Sequence, residues 1–298
     1  MPGTFVYPER LAALAPRERH AVIGGATTHW WEYGTEDSSD TIIAIHGFRG
    51  DHHGLELFAA FWPNQRFVIP DLPGFGASGV FDQQPHNLDS YVAWLLDFVA
   101  ELRPARGRTI ILGHSFGSIV VSAALANGLR ADAAILVNPI GAPALEGPRG
   151  VLTKAAIAYY KLSAALPERA GRALLANPAI VRVMSASMAK SPDPVMRRFI
   201  HQQHDEYFSN FADRDALLAA FATSVSHNVA EVAERITLPV LLIAAERDDI
   251  TALPAQRRLA QRIPNAQLRV IPRVGHLIHY ETPAVAVEHM RDFLAKLP

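Results

Sequence analysis

Ser115 stands in Gly113-His114-Ser115-Phe116-Gly117, a Gly-x-Ser-x-Gly pattern. So short a pattern arises often by chance, and its flanks decide what it means. Thr109-Ile110-Ile111-Leu112 precedes it and reads as a buried strand. An Ala-rich stretch follows, reading as a helix that Gly128 can end. A serine between strand and helix sits on a strained elbow that projects its hydroxyl. Glycines flank it because the sharp turn brings backbones together. The helix start at Phe116 aims free N–H groups and a positive dipole end at the reacting centre. This setting suits attack on an acyl carbon and formation of an acyl-enzyme; a carboxylate here would instead form an ester with alkyl substrates. The plainer alternative is a glycine-rich turn with a helix-capping serine.

The elements that would position this serine follow a regular rhythm. Strands are expected at 21–24 and 27–33 around Gly24-Gly25, then at 41–45, 66–70, 108–112, 133–137, 239–245 and 267–271. Helices are expected at 55–62, 88–102, 118–127, 254–262 and 283–294. Alternation of this kind implies an α/β fold: a mainly parallel sheet covered by helices on both faces. The rhythm stops after Val137. Helical segments at 151–165, 170–188, 194–206 and 213–233 follow, implying an inserted cap over one end of the sheet. The expected division is a core of 1–138 and 236–298 with a cap of 139–235. No internal repeat is evident.

With 298 residues, 49% of them hydrophobic, the chain can fill one large core or a core carrying a sub-domain. A formal net charge of -1 gives no global electrostatic reason to bind nucleic acid. The absence of cysteine excludes disulfides and thiolate metal sites. The start, Met1 to Arg10, lacks the basic and apolar regions of a secretory signal, and the apolar run Val240 to Ala245 is too short to span a bilayer. A cytoplasmic chain with no transmembrane segment is expected.

Several motifs now fall into an order. His46-Gly47-Phe48, Asp71-Leu72-Pro73-Gly74-Phe75-Gly76-Ala77-Ser78, Gly113 to Gly117, Glu246-Arg247-Asp248 and Gly275-His276 resemble those of the α/β-hydrolase fold superfamily, in its capped branch. The resemblance covers nearly the whole chain. It implies the order nucleophile, acid, base, which Ser115, Asp248 and His276 satisfy. His276 would take the Ser115 proton and return it to the leaving group, while the carboxylate fixes the imidazole tautomer. Asp249 remains a rival acid, being adjacent and chemically equivalent, at a place where relatives frequently carry Pro. Ala245 stands where relatives often have Gly. Among the 13 histidines, His279 could compete with His276 but lacks the preceding glycine. The resemblance also implies oxyanion donors at the backbone N–H groups of Phe116 and Phe48. His46 reads as a buried hydrogen-bonder.

Phe75 and Arg49 are expected at the substrate pocket. Arg49 would meet a substrate carboxylate or phosphate, or else pair with Asp51 at the surface. No cofactor and no metal are expected, since nucleophile, base and oxyanion donors form a complete set. Asp51-His52-His53 looks like a ligand cluster, but adjacent side chains rarely converge on one ion. His201 and His204 read as cap packing rather than a zinc site. Nine basic residues (Arg149, Lys154, Lys161, Arg169, Arg172, Arg182, Lys190, Arg197, Arg198) face only Glu168 and Asp193 over the same stretch. They read as solvated helix faces, or as a surface drawing anionic or amphiphilic acyl substrates.

The expected partner is a small to medium, mainly apolar carboxylic ester. Carbon–carbon bond hydrolases of ring-cleavage products share the triad but usually carry Trp where this chain has Leu277. They remain an alternative, as does a non-catalytic ligand-binding member of the fold.

Overall fold

The computed structural model describes residues 5–102, 107–144 and 150–297. The chain opens with α1 (Tyr7–Ala12) and a hairpin of β1 (Arg17–Ile23) and β2 (Ala26–Tyr33). Its two-residue turn places Gly24 and Gly25 at φ +55 and +78, the positive values that suit the twist of a tight hairpin. Then come β3 (Asp40–Ile45), α2 (Glu56–Ala60), β4 (Arg66–Pro70), α3 (Leu88–Leu102), β5 (Arg108–His114), α4 (Phe116–Ala126) and β6 (Ala133–Val137). Five helices follow: α5 (Gly150–Ala165), α6 (Glu168–Leu175), α7 (Pro178–Met188), α8 (Pro194–Tyr207) and α9 (Arg214–Ser226). The chain closes with β7 (Val240–Ala245), α10 (Leu253–Arg262), β8 (Ala266–Ile271), α11 (Ile278–Glu281) and α12 (Pro283–Leu294).

The strands form one eight-stranded sheet in the order β1-β2-β4-β3-β5-β6-β7-β8. Only the pairings of β2 with β1 and β4 are antiparallel. The remainder, from β4 through β8, is parallel. Every residue of β3, β6 and β7 is buried, which is why these strands read as apolar runs once past Asp40 and Thr41 of β3. The period of two still sorts their side chains. Ile43, Ile45, Ile111 and Leu136 join the core beneath α3 and α4, while Ile42, Ala44, Ile110 and Ile135 join the one beneath α12.

The insert of α5 to α9 interrupts the sheet between β6 and β7, as a cap does in this architecture. Two of its helices differ from the expected segments. The run 170–188 breaks at Asn177, whose side chain accepts from the N–H groups of Ala179 and Ile180 while Pro178 opens α7. The run 213–233 ends at Ser226. Asn228 and Glu231 then form a reciprocal capping box on a short 3-10 turn, Val229–Glu231. This turn and the next, Ala233–Arg235, pack against α4 and α10, so the chain has rejoined the core before residue 236. The short helices α1 and α11 were not anticipated from the sequence. Among the described residues no helix is long and apolar enough to cross a membrane.

Because β3, β5, β7 and β8 run in parallel, the loops leaving their carboxyl ends share one edge of the sheet. His46, Ser115, Asp248 and His276 all lie on those loops. At that edge Gly117 lies directly against the end of β3. A Cβ on Gly117 would collide with the carbonyl oxygen of Ile45 and come within 2.6 Å of that of His46. Gly128, by contrast, has φ +95 and open space around it. Gly117→Ala is therefore expected to cost roughly 3 kcal/mol or more in urea unfolding. Gly128→Ala is expected to cost only about 1–2 kcal/mol of left-handed backbone strain. Equal losses would contradict the packing account.

Candidate active site

Ser115 has φ 53 and ψ -117, a conformation that non-glycine residues seldom adopt. Its backbone is held on both sides: Ser115 N–H donates to Val137 O at 3.1 Å, and Ser118 Oγ–H donates to Ser115 O at 2.5 Å. The serine side chain makes no capping bond to the helix it precedes. Its Oγ instead lies 2.8 Å from His276 Nε2, and His276 Nδ1 lies 2.8 Å from Asp248 Oδ2. Oδ1 of Asp248 accepts from the N–H groups of Ile250 at 2.8 Å and Thr251 at 3.2 Å. A carboxylate facing Nδ1 calls for a proton there, which leaves Nε2 free to accept from the serine hydroxyl. Asp249 points elsewhere and pairs with Lys190 of the cap at 2.6 Å. Of the two adjacent acids, Asp248 meets the histidine.

Asn138 was missed in the sequence. It sits just past β6 at φ +43. Its Nδ2 donates to His276 O at 2.6 Å, and its Oδ1 accepts from Ala245 N–H at 2.8 Å. It thus ties the histidine loop to β7. An Asn-Pro pair directly after a strand was the available signal, because Asn tolerates the left-handed region.

The loop after β3 turns tightly, with Gly50 N–H donating to Gly47 O at 3.1 Å. His46 supports it, its Nδ1 2.8 Å from Gly47 O and its Nε2 accepting from Leu72 N–H at 2.9 Å. That is the buried structural role expected of it. The N–H groups of Phe48 and Phe116 find no acceptor among the described residues. Both residues and Ser115 border a cavity of about 680 Å³. Its remaining wall is chiefly apolar and aromatic, with Ile140 and Leu277 from the core and Tyr160, Ile180, Met184 and Phe221 from the cap.

Residues 42–289 match the alpha/beta hydrolase family. The chain belongs to that family. It is 27% identical over 95% of its length to the dihydrolipoyllysine-residue acetyltransferase component of an acetoin cleaving system from Pseudomonas putida, covering 71% of that protein. It is 21% identical over 96% of its length to a monoacylglycerol lipase of Xenopus laevis, covering 84% of it. A thermophilic esterase from Thermogutta terrifontis superposes with a TM-score of 0.72 at 20% identity, over 94% of this chain and 99% of the other, which shows the shared fold.

One of the two pocket residues expected in this alpha/beta hydrolase takes another place, and the other turns its charge away from the cavity. Phe75 does not border the cavity. It lies buried behind Phe48, ring centroids 6.0 Å apart, and its backbone bridges to Phe211 of the insert. Arg49 borders the cavity, but its guanidinium is turned to the cap, donating to Leu175 O at 2.8 Å, Phe208 O at 3.1 Å and Tyr160 Oη at 3.2 Å. It makes no pair with Asp51, whose Oδ1 faces His53 Nδ1 at 3.1 Å.

The expectation that Asp51, His52 and His53 diverge is also corrected. A 3-10 turn at His52–Gly54 brings one ligating atom from each within 4.8 Å of the others. Hydrogen bonds link these groups: His52 Nδ1 faces Asp71 Oδ1 at 2.9 Å, as His53 faces Asp51. His201 and His204 both turn to Ser185 Oγ, at 2.6 and 2.8 Å. Part of the basic excess in the cap is used internally. Arg172 donates to Phe211 O and Ala212 O, Arg182 pairs with Asp205, and Lys190 pairs with Asp249. Arg149 lies outside the described residues.

Burial drives several histidines to the neutral form. It pushes His114, beneath Gly47, and His204 down to about 3, and His279 well below its ordinary value. The unfolded chain protonates these groups below about pH 6.5 while the folded chain does not, so stability is full above that pH and falls as pH drops towards 3. His114 and His204 should each cost roughly 1.5–2 kcal/mol between pH 6.5 and 5. Urea unfolding across that range measures the slope, and His204→Gln should flatten it by about one proton. A slope unchanged in the variant would contradict this account.

Proposed function

We propose that this chain is a serine hydrolase of small to medium, mainly apolar carboxylic esters. The observation that carries the reading is the continuous chain from Ser115 Oγ to His276 Nε2 and from His276 Nδ1 to Asp248 Oδ2, each link 2.8 Å, at the wall of an apolar cavity.

In this reading Ser115 Oγ attacks the acyl carbon while its proton passes to His276 Nε2. The carbonyl oxygen becomes an oxyanion, met by the N–H groups of Phe48 and Phe116. Collapse breaks the bond to the alcohol oxygen, which takes the proton from His276. Water then gives a proton to His276 and attacks the acyl-enzyme, releasing the acid and restoring Ser115. Asp248 holds the imidazole and stabilises its cation without taking up the proton. Helices α5 to α9 act as a lid that keeps the site dry, strengthening the oxyanion interactions. Every proton transfer has a named residue, so the scheme calls on no metal or cofactor.

The substrate preference follows from the cavity wall. Phe48, Phe116, Tyr160 and Phe221 surround it, and apolar walls reward each buried CH₂ by about 0.8 kcal/mol. The lipase and esterase names of similar proteins agree with an ester substrate. The acetyltransferase name fits the same logic, because an acyl-enzyme can be relieved by acceptors other than water.

A fluorophosphonate probe should label Ser115 in the native protein, and Ser115→Ala should abolish labelling. The variant should hydrolyse p-nitrophenyl butyrate roughly 10³-fold more slowly, or worse. Asp248→Asn should fall by a similar order, while Asp249→Asn should stay near wild type. An active D248N beside a dead D249N would reverse the acid assignment. A ring-cleavage dienoate turned over a hundredfold faster than any ester would replace the ester reading.

A further inference from the structure

Arg49 takes no part in those proton transfers, yet its backbone and its side chain are both held under constraint. It follows Phe48 in the turn closed by Gly50 N–H on Gly47 O. Its φ is +62, whereas Phe48 is not among the residues of positive φ. That sign pattern belongs to a type II turn, whose third residue is ordinarily glycine. An arginine there carries strain that glycine would avoid.

The side chain supplies what glycine could not. It is only 2% exposed, and three of its bonds reach the insert at separate points. Leu175 is the last residue of α6, and Phe208 caps the C-terminus of α8. Carbonyls at helix C-termini lack intrahelical donors and carry the negative end of the helix dipole. Nη2 and Nε of Arg49 satisfy one carbonyl at each end, while Nη1 donates to the hydroxyl of Tyr160 on α5. The guanidinium also lies 5.1 Å from the ring of Phe208 and 5.7 Å from that of Phe211. Among the described residues no carboxylate forms an ion pair with it. Its charge is balanced by two helix ends of the cap, and its backbone belongs to the turn that carries the Phe48 N–H.

We propose that Arg49 is a positioning residue that couples the seating of the cap to the oxyanion donor at Phe48. With the cap seated, its carbonyls hold the guanidinium and the strained turn keeps the Phe48 N–H directed at the reacting carbonyl. With the cap lifted, the cation loses its acceptors and the turn loses what maintains its shape. The inference rests on the ester reading above and adds a route by which the cap controls the chemistry.

Arg49→Ala separates this role from others, because alanine keeps the left-handed strain of the turn and removes every tie to the cap. The readouts are kcat and KM for p-nitrophenyl butyrate, and calorimetric affinity for butylboronic acid and for the neutral ketone 2-heptanone. Ser115 Oγ adds to the trigonal boron as its proton passes to His276, and the resulting tetrahedral anion presents an oxygen to the oxyanion donors. R49A is expected to lower kcat and boronate affinity at least tenfold, with KM and ketone affinity within twofold of wild type. R49K, which keeps the charge but cannot span three acceptors, should fall between. Should circular dichroism show R49A unfolded, Tyr160→Phe removes one acceptor and should give the same pattern at two- to fivefold. Wild-type kcat and boronate affinity in the folded variant would overturn the proposal, as would equal weakening of boronate and ketone. Failure of the ester reading looks different: the wild type itself would neither hydrolyse the ester nor bind the boronate.

Discussion

The close approach of the α4 start to the end of β3 is the constraint on which the rest of the site depends. No side chain fits at Gly117 against the carbonyls of Ile45 and His46, and none fits at Gly113, where a Cβ would come within 2.6 Å of Gly117 O. With both positions reduced to backbone, the first turn of α4 sits directly against the loop bearing Phe48. The N–H groups of Phe116 and Phe48 thereby border the same cavity as Ser115. The positive φ of Ser115 is the local cost of that sharp turn. Bonds from Ser118 and to Val137 maintain it, together with the burial of β5 and α4.

Around this elbow, polarity is rationed. Asp248 and His276 are both nearly inaccessible, and the carboxylate is satisfied by two backbone N–H groups as well as by the imidazole. Those bonds offset the cost of burying the carboxylate. The neighbouring histidines carry no charge. Burial holds His114 and His279 neutral, so they add no competing cation beside His276. Asn138 completes the arrangement by fixing the carbonyl of His276 to the edge of β7.

The cap is joined to the core by a few polar ties set among apolar contacts. Lys190 meets Asp249, next to Asp248. Glu281 of α11 accepts from the N–H groups of Lys190 and Ser191, and burial raises its carboxyl above the usual range even though these N–H groups pull the other way. Arg49 gathers the ends of α6 and α8 from the opposite direction in the sequence. Several cap cations that look available to solvent or substrate in a one-dimensional reading are spent on these internal contacts.

The strand-helix rhythm and the order of the motifs bearing Ser115, the Asp248-Asp249 pair and His276 could be read from the sequence. Parallel strands buried on both faces must be continuously apolar, and sharp turns need glycine, so both leave local marks. Helix ends at Asn177 and Ser226 were less legible, because capping competes with a helical pattern that continues on either side. The roles of Arg49 and Phe75 carried no local mark, and that of Asn138 only the Asn-Pro pair after a strand. Whether an arginine faces substrate, solvent or a helix end depends on which carbonyls lie within about 3 Å of its guanidinium. Here those carbonyls come from Leu175 and Phe208, more than a hundred residues away in the chain. Likewise, the choice between Asp248 and Asp249 rested on which carboxylate the turn after β7 aims at His276. Sequence determined which chemistry was available; tertiary packing decided which groups face one another, because hydrogen bonding acts at contact and contact between distant segments exists only in the folded chain.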